Sequence, residues 1–200
     1  MAYKAVGDRI HRAAQLLTEA RRNVDVVSSL GEFAPADLQS AHQIADAHAE
    51  LLGWGVLGWK IGCTSEKAQQ ILSCPHPFSG RLFAGTPATD GVLAHDALTK
   101  PLLESEFIFT LGKSLPPRDA PYTLDEVRNA TVSVTPAFEL VAPRYSDWLA
   151  VGYLSLIADS GCNGGFVLGE PVAANDCPPL RDVAVTLTVD DVEILSLIHI

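Results

Sequence analysis

Three carboxylates in apolar surroundings are the residues of this chain best placed to do chemistry. Residues 101–110 read Pro-Leu-Leu-Glu-Ser-Glu-Phe-Ile-Phe-Thr, and the aromatic and β-branched flanks favour a strand. Alternate residues of a strand share one face, roughly 6.5–7 Å apart, so Glu104 and Glu106 are expected to project side by side. Two like charges on a largely apolar strand are costly unless something positive lies between them. Glu139, between Phe138 and Leu140 in the next strand candidate, is a third charge in an apolar run. Oxygen donors of this type suit a hard divalent cation such as Mg2+ or Mn2+. Three of them would leave the remaining octahedral positions to water and substrate. The ordinary alternative puts Glu104 and Glu106 on the wet face of a half-buried strand and pairs Glu139 with Arg144; an isolated Glu-x-Glu does not decide between the two.

Lys60 is the second unusual charge, set in Leu57-Gly-Trp-Lys-Ile-Gly62. A lysine in such a setting can carry a proton or hold an anionic substrate. The commoner case is a lysine that snorkels to water at a strand edge. Gly62, Cys63 and Thr64 follow, and their backbone N–H groups near a helix start could receive a carboxylate. Helix capping by Thr64 or Ser65 is the plainer role for that turn.

These side chains need elements to position them. Apolar spacing predicts a helix over residues 8–22, from Ile10, Ala13, Ala14, Leu16 and Leu17. A second helix is expected over residues 35–52, with Pro35 in its first turn, Asp37 at the positive end of its dipole and Gly53 ending it. Strands are expected over 56–62, 102–111, 132–141, 165–168 and 183–189, with a short helix from Ser65 and Glu66 to Leu72. Residues 74–80 read as a loop. Thr123 and Glu126 form a capping box ahead of a helix to Ala130, residues 154–159 are ambiguous, and Asp190-Asp191 suits a turn. The fold class expected is α+β: N-terminal helices over residues 1–55, then a strand-rich body over 56–194.

Composition removes several functions. The 200 residues are 48% hydrophobic and 19% charged, enough for one domain with a real core. Twenty-four acidic against fourteen basic residues give a net charge of −10, which disfavours nucleic-acid binding. No apolar run is long enough to span a bilayer and no signal-peptide core opens the chain. Cys63, Cys74, Cys162 and Cys177 are dispersed without a C-x-x-C pair, so reduced thiols in a cytoplasmic protein are expected rather than a zinc site. Residues 195–200 read Leu-Ser-Leu-Ile-His-Ile, which one reverse translation makes identical to a sequencing-library adapter. They are expected to be non-native read-through, with a short apolar strand as the alternative.

Several motifs combine in order: Gly58-Trp-Lys-Ile-Gly-Cys-Thr-Ser65, Gly80-Arg-Leu-Phe83, Glu104-Ser-Glu106 with Leu111-Gly-Lys-Ser-Leu115, Pro136-Ala-Phe-Glu139 with Arg144-Tyr-Ser-Asp-Trp148, and Ile157-Ala-Asp-Ser-Gly-Cys-Asn-Gly-Gly-Phe-Val-Leu-Gly169. Together they resemble the 2-keto-4-pentenoate hydratase family of the fumarylacetoacetate hydrolase superfamily, from the first helix to about Val189. The resemblance implies a mixed β-sheet roll, truncated here at its C-terminus, and a cytoplasmic enzyme of aromatic-compound degradation. It implies that Glu104, Glu106 and Glu139 bind Mg2+ or Mn2+, that Lys60 and Asp159 are catalytic, and that Gly62, Cys63, Thr64 and Arg81 face a 2-oxo acid or dienoate. It also implies a homo-oligomer, and a complex with a related decarboxylase.

The implied reaction is hydration of a 2-hydroxy-2,4-dienoate to a 4-hydroxy-2-oxo acid. A 2-oxo-3-enedioate decarboxylase, a C–C hydrolase and a non-catalytic partner subunit are the alternatives. The chain departs from the family pattern in three places. The loop that carries an acidic residue in hydratase-like members is Cys74-Pro-His-Pro-Phe-Ser-Gly80, leaving His76 as a candidate substitute. The A-D-N-A-S pattern becomes Ala158-Asp-Ser-Gly-Cys162, and the acid-plus-serine after the Glu139 strand becomes Ala142-Pro143.

Overall fold

The computed structural model describes residues 2–85, 91–94 and 96–197. Helix α1 (Ala2–Arg22) buries Ala13, Ala14 and Leu17 completely, the stripe expected of its spacing. Arg21 and Arg22 close its last turn, where cations suit the dipole. Helix α2 (Leu38–Leu52) starts three residues later than Pro35 suggests. Asp37 is its N-cap: the carboxylate accepts from the Ser40 N–H at 2.7 Å, and the Ser40 hydroxyl oxygen accepts from the Asp37 N–H at 3.1 Å. A reciprocal cap satisfies two orphan donors, which Pro35 cannot do. Gly53 ends α2 at φ 67°, as expected.

Strand β1 (Val56–Gly62) pairs antiparallel with β2 (Phe78–Phe83). Strand β2 therefore begins inside the stretch read as a loop. Its Phe78, Gly80 and Phe83 are buried, and this tertiary burial outweighs the turn-rich composition before it. Helix α3 (Glu66–Leu72) lies between the two strands, capped by the Ser65 hydroxyl. Strands β3 (Leu102–Leu111), β4 (Thr131–Val141) and β5 (Asn163–Leu168) are neighbours in that order, and β6 (Val172–Ala173) pairs with β4. Helix α4 (Leu124–Ala130) precedes β4 and carries the expected capping box. Helix α5 (Tyr153–Ala158) resolves the ambiguous stretch before β5.

Strands β7 (Val185–Val189) and β8 (Val192–Leu197) form a hairpin. Asp190 and Asp191 turn it with φ of 49° and 63°, the left-handed pair that tight hairpins require. The backbone of β8 takes in Leu195–Leu197 of the hexapeptide; Ile198–Ile200 lie outside the described residues.

The chain divides into two compact units. One comprises Met1–Leu102 with Leu140–Phe166, the other Leu103–Glu139 with Val167–Ile200. The helical prefix is thus part of the first unit's core, where α1 packs on α2 and α2 on α5. That core contains two buried polar devices. Arg144 donates from Nε to Asp159 at 2.6 Å and from its backbone N–H at 3.0 Å. His48, fully buried, shares its Nδ1 with the Thr18 hydroxyl at 2.9 Å. Because Thr18 itself donates to the Ala14 carbonyl, it accepts from His48, which places the imidazole proton on Nδ1. Burial, with Arg21 and Arg144 nearby, pushes the His48 pKa well below its usual 6.5.

Candidate active site

In the second unit, β3 and β4 run side by side and bring three carboxylates together. Glu104, Glu106 and Glu139 each offer an oxygen within 4.8 Å of the others. The i, i+2 spacing puts the first two on one face of β3, and β4 supplies the third. Glu104 is exposed, Glu106 half-buried and Glu139 buried. Arg144 does not pair with Glu139 as the ordinary alternative requires. Its Nε and Nη2 go to the Asp159 carboxylate and carbonyl, and its Nη1 goes to the Asn163 carbonyl at 3.0 Å. The donor set fits a hard divalent cation: three anionic oxygens, one end open to water and the other buried.

In the first unit, Lys60 lies in a bed of glycines. It is paired across the β1–β2 ribbon with Gly80. A Cβ added to Gly80 would stand 2.1 Å from the Ser160 carbonyl oxygen, so only glycine lets β2 approach that turn. The Lys60 side chain runs past Gly161 and Gly62, its Cδ 3.3 Å and its Nζ 3.7 Å from where their Cβ atoms would be. Gly80 and Gly161 stood in the quoted motifs without a role. The signal at Gly80 was the glycine itself, at a residue that faces the lysine across the ribbon.

The turn after β1 has the expected sequence and a left-handed Cys63, φ 60°. Gln69 donates to the Cys63 carbonyl at 3.1 Å, fixing the turn against α3. The Cys63 thiol contacts Cys74, and burial raises its pKa; all four cysteines are free thiols. Thr64 is exposed and leaves the capping to Ser65.

Two expected site residues are engaged elsewhere. Arg81 faces Trp59 across the ribbon, so it projects from the side opposite Lys60. It bonds Asp46 of α2, and its guanidinium lies 4.9 Å from the Trp59 ring centroid. Asp159 has both carboxylate oxygens on Arg144 and is fully buried. His76 is exposed, with Nδ1 2.9 Å from the Pro77 carbonyl and its ring edge-on to Tyr153.

No family model matches the chain. It is 32% identical over 166 residues to the TodF product hydratase of Pseudomonas putida, which covers 80% of this chain and 61% of that protein. To the 2-keto-4-pentenoate hydratase of Paraburkholderia phymatum it is 32% identical over 195 residues, 94% of this chain and 72% of that one. The chain belongs to the 2-keto-4-pentenoate hydratase family. The chain spans about 60% of the length of the first relatives it matches. Among solved structures, a 4-oxalocrotonate decarboxylase from Pseudomonas putida superposes with a TM-score of 0.79 at 20% identity, over 94% of this hydratase-family chain and 71% of the decarboxylase. The same protein complexed with magnesium and adipate gives 0.72 at 19%. The mixed helix-and-sheet fold is therefore that of the decarboxylase as well.

Proposed function

We propose that this chain carries the active-site residues of a divalent-metal-dependent hydro-lyase that converts a 2-hydroxy-2,4-dienoate to a 4-hydroxy-2-oxo acid in aromatic-compound degradation. The observation that carries this reading is the convergence of Glu104, Glu106 and Glu139 within 4.8 Å. The names of the relatives and the magnesium and calcium complexes of the structural neighbour support it. The sheets are read as parts of the mixed roll of the superfamily, and Mg2+ or Mn2+ as the cation. When bound, such a cation supplies Lewis-acid stabilisation of the negative charge that develops on a 2-oxo oxygen.

The chain's own residues do the rest. Lys60 takes the proton from the 2-hydroxyl and returns one to C5, giving the conjugated 2-oxo-3-enoate. Water then adds its hydroxyl to C4 and a proton to C3. The backbone N–H groups of Gly62, Cys63 and Thr64 hold the substrate carboxylate. Asp159 acts through Arg144 as a positioning residue, and Arg81 holds β2 against α2.

The loop at residues 74–80 favours a second reading. It has no carboxylate to activate water, and a 2-oxo-3-enedioate decarboxylase needs none. The test is in two parts. Mn2+ titrated into the chelator-treated chain is expected to raise its thermal stability by about 2.7 kcal/mol at a hundredfold excess over Kd. Glu106→Gln should abolish that rise, and a well-folded wild type showing none overturns the metal reading. Consumption of a synthetic dienoate without CO2 then supports hydration. CO2 from an oxo-enedioate, with the dienoate untouched, moves the assignment to decarboxylation.

A further inference from the structure

Among the described residues, only Ser160, Gly161 and Cys162 form a run of three with positive φ, at 53°, 65° and 63°. Left-handed backbone normally occurs at isolated residues, because the Cβ crowds the following carbonyl. Ser160 and Cys162 both carry that cost, and at 1% and 4% exposed they have no room in solvent to relieve it. The Ser160 hydroxyl adds a second cost, being buried with no hydrogen-bond partner. The turn is therefore not shaped by its own side chains. Backbone strain of this kind persists only where the surroundings impose it, and it gathers at functional sites.

The strained turn offers backbone to its neighbours. Its Ser160 carbonyl abuts Gly80 of β2, and Gly161 turns its bare Cα to Lys60. A Cβ on Gly161 would stand 3.3 Å from the lysine Cδ and 3.5 Å from Phe78 Cε2. Further along the stem, a Cβ on Gly62 would stand 3.5 Å from the lysine Cε and 3.4 Å from the same Phe78 carbon. The aliphatic stem thus runs between two glycines, with the edge of one buried ring beside both. Phe78 belongs to the core of the first unit, so that wall is fixed. Ordering a lysine costs as much side-chain entropy as ordering any residue type. A slot that imposes this cost on a half-buried lysine has a use where the ammonium must stay in one place.

We propose that the Ser160–Cys162 turn is a positioning element for Lys60, with Gly161 holding the stem so that Nζ stays at the Gly62 end of the slot. The turn acts through the lysine and not on substrate, and its purpose rests on the proton-transfer role given to Lys60 above. The test reads the lysine first and turnover second. In the whole chain labelled with 13C-lysine, the Lys60 Cε order parameter is expected well above those of the exposed Lys67, Lys100 and Lys113. Gly161→Ala should displace the stem, shift the Lys60 Cδ and Cε resonances and lower that order parameter. Gly152→Ala controls for strain alone, since φ is 77° there and nothing lies within 4 Å of its Cβ position. It should lower the urea midpoint and leave the Lys60 resonances unmoved. On the dienoate with Mg2+, Gly161→Ala should reduce kcat roughly a hundredfold. Its KM should stay within about twofold, because the turn that holds the carboxylate is untouched. Gly152→Ala should keep the wild-type kcat.

A wild-type Lys60 as mobile as the exposed lysines overturns the proposal, a measurement that stands even if Gly161→Ala fails to fold. So does a folded Gly161→Ala whose Lys60 resonances are unmoved, or a Gly152→Ala that moves them equally. An ordered Lys60 in a wild type that consumes neither the dienoate nor an oxo-enedioate supports the slot and overturns the assigned reaction instead.

Discussion

At the scale of single residues, the groups that matter are those whose surroundings set their charge. Buried His48 stays neutral with its proton on Nδ1, toward Thr18. Its pKa is depressed on folding, so below pH 6.5 the unfolded chain binds a proton that the folded chain refuses. Stability contributed by neutral His48 is therefore present above pH 6.5 and falls as the pH drops below it. The expected slope is about 1.4 kcal/mol per pH unit, read from urea midpoints, and His48→Gln should flatten it. Glu126 behaves in the opposite setting, at the surface. Arg118, and then the Thr123 N–H and hydroxyl, hold its carboxyl down at about 2. Its contribution is intact above pH 4.5, falls progressively below it and is gone once the pH passes about 2. Arg118→Met should move the Glu126 titration, followed by NMR, upward toward 4.5.

At the scale of elements, close approach decides tolerance to substitution. Gly80→Ala drives a methyl into the Ser160 carbonyl, 2.1 Å away. The expected loss is about 3 kcal/mol or more in urea unfolding. Gly62→Ala meets Phe78 and Lys60 only at 3.4–3.5 Å and should be near neutral. This is also where the sequence was partly opaque. Period-2 spacing made Glu104 and Glu106 legible as one face of β3, and the capping box marked α4. The register between β1 and β2 has no local signal, so nothing in Gly80-Arg-Leu-Phe83 revealed that Arg81 and Lys60 take opposite faces. The start of β2 was hidden because two prolines and a glycine read as a loop while the burial of Phe78 is a tertiary fact. Asp37 was placed near the helix dipole, but its capping role depends on Ser40, a partner outside the usual Glu or Gln pattern.

At the scale of the molecule, the first unit is assembled from segments distant in sequence. Helical periodicity identifies α1 and α2 but not what covers them, and α5 lies about a hundred residues on. The Arg144–Asp159 pair ties the turn after β4 to the end of α5 in that unit. Arg144→Met leaves a buried carboxylate uncompensated and is expected to cost about 3–5 kcal/mol. Adding Asp159→Leu should recover most of that loss, because the pair's net worth is smaller than the cost of breaking it. Chemical denaturation of the two variants separates these outcomes.

The bond from Arg21 to the Asn163 carbonyl spans 142 positions, and that separation has a consequence for synthesis. At roughly 5–20 residues per second, α1 waits on the order of ten seconds before its last arginine can meet that acceptor. During that interval its apolar stripe packs against earlier segments such as α2 and residues 31–33, without Tyr145, Leu156 and Ile157 of the same core. The nascent chain is therefore expected to recruit chaperones at α1 until residue 163 emerges, and to fold slowly for its size.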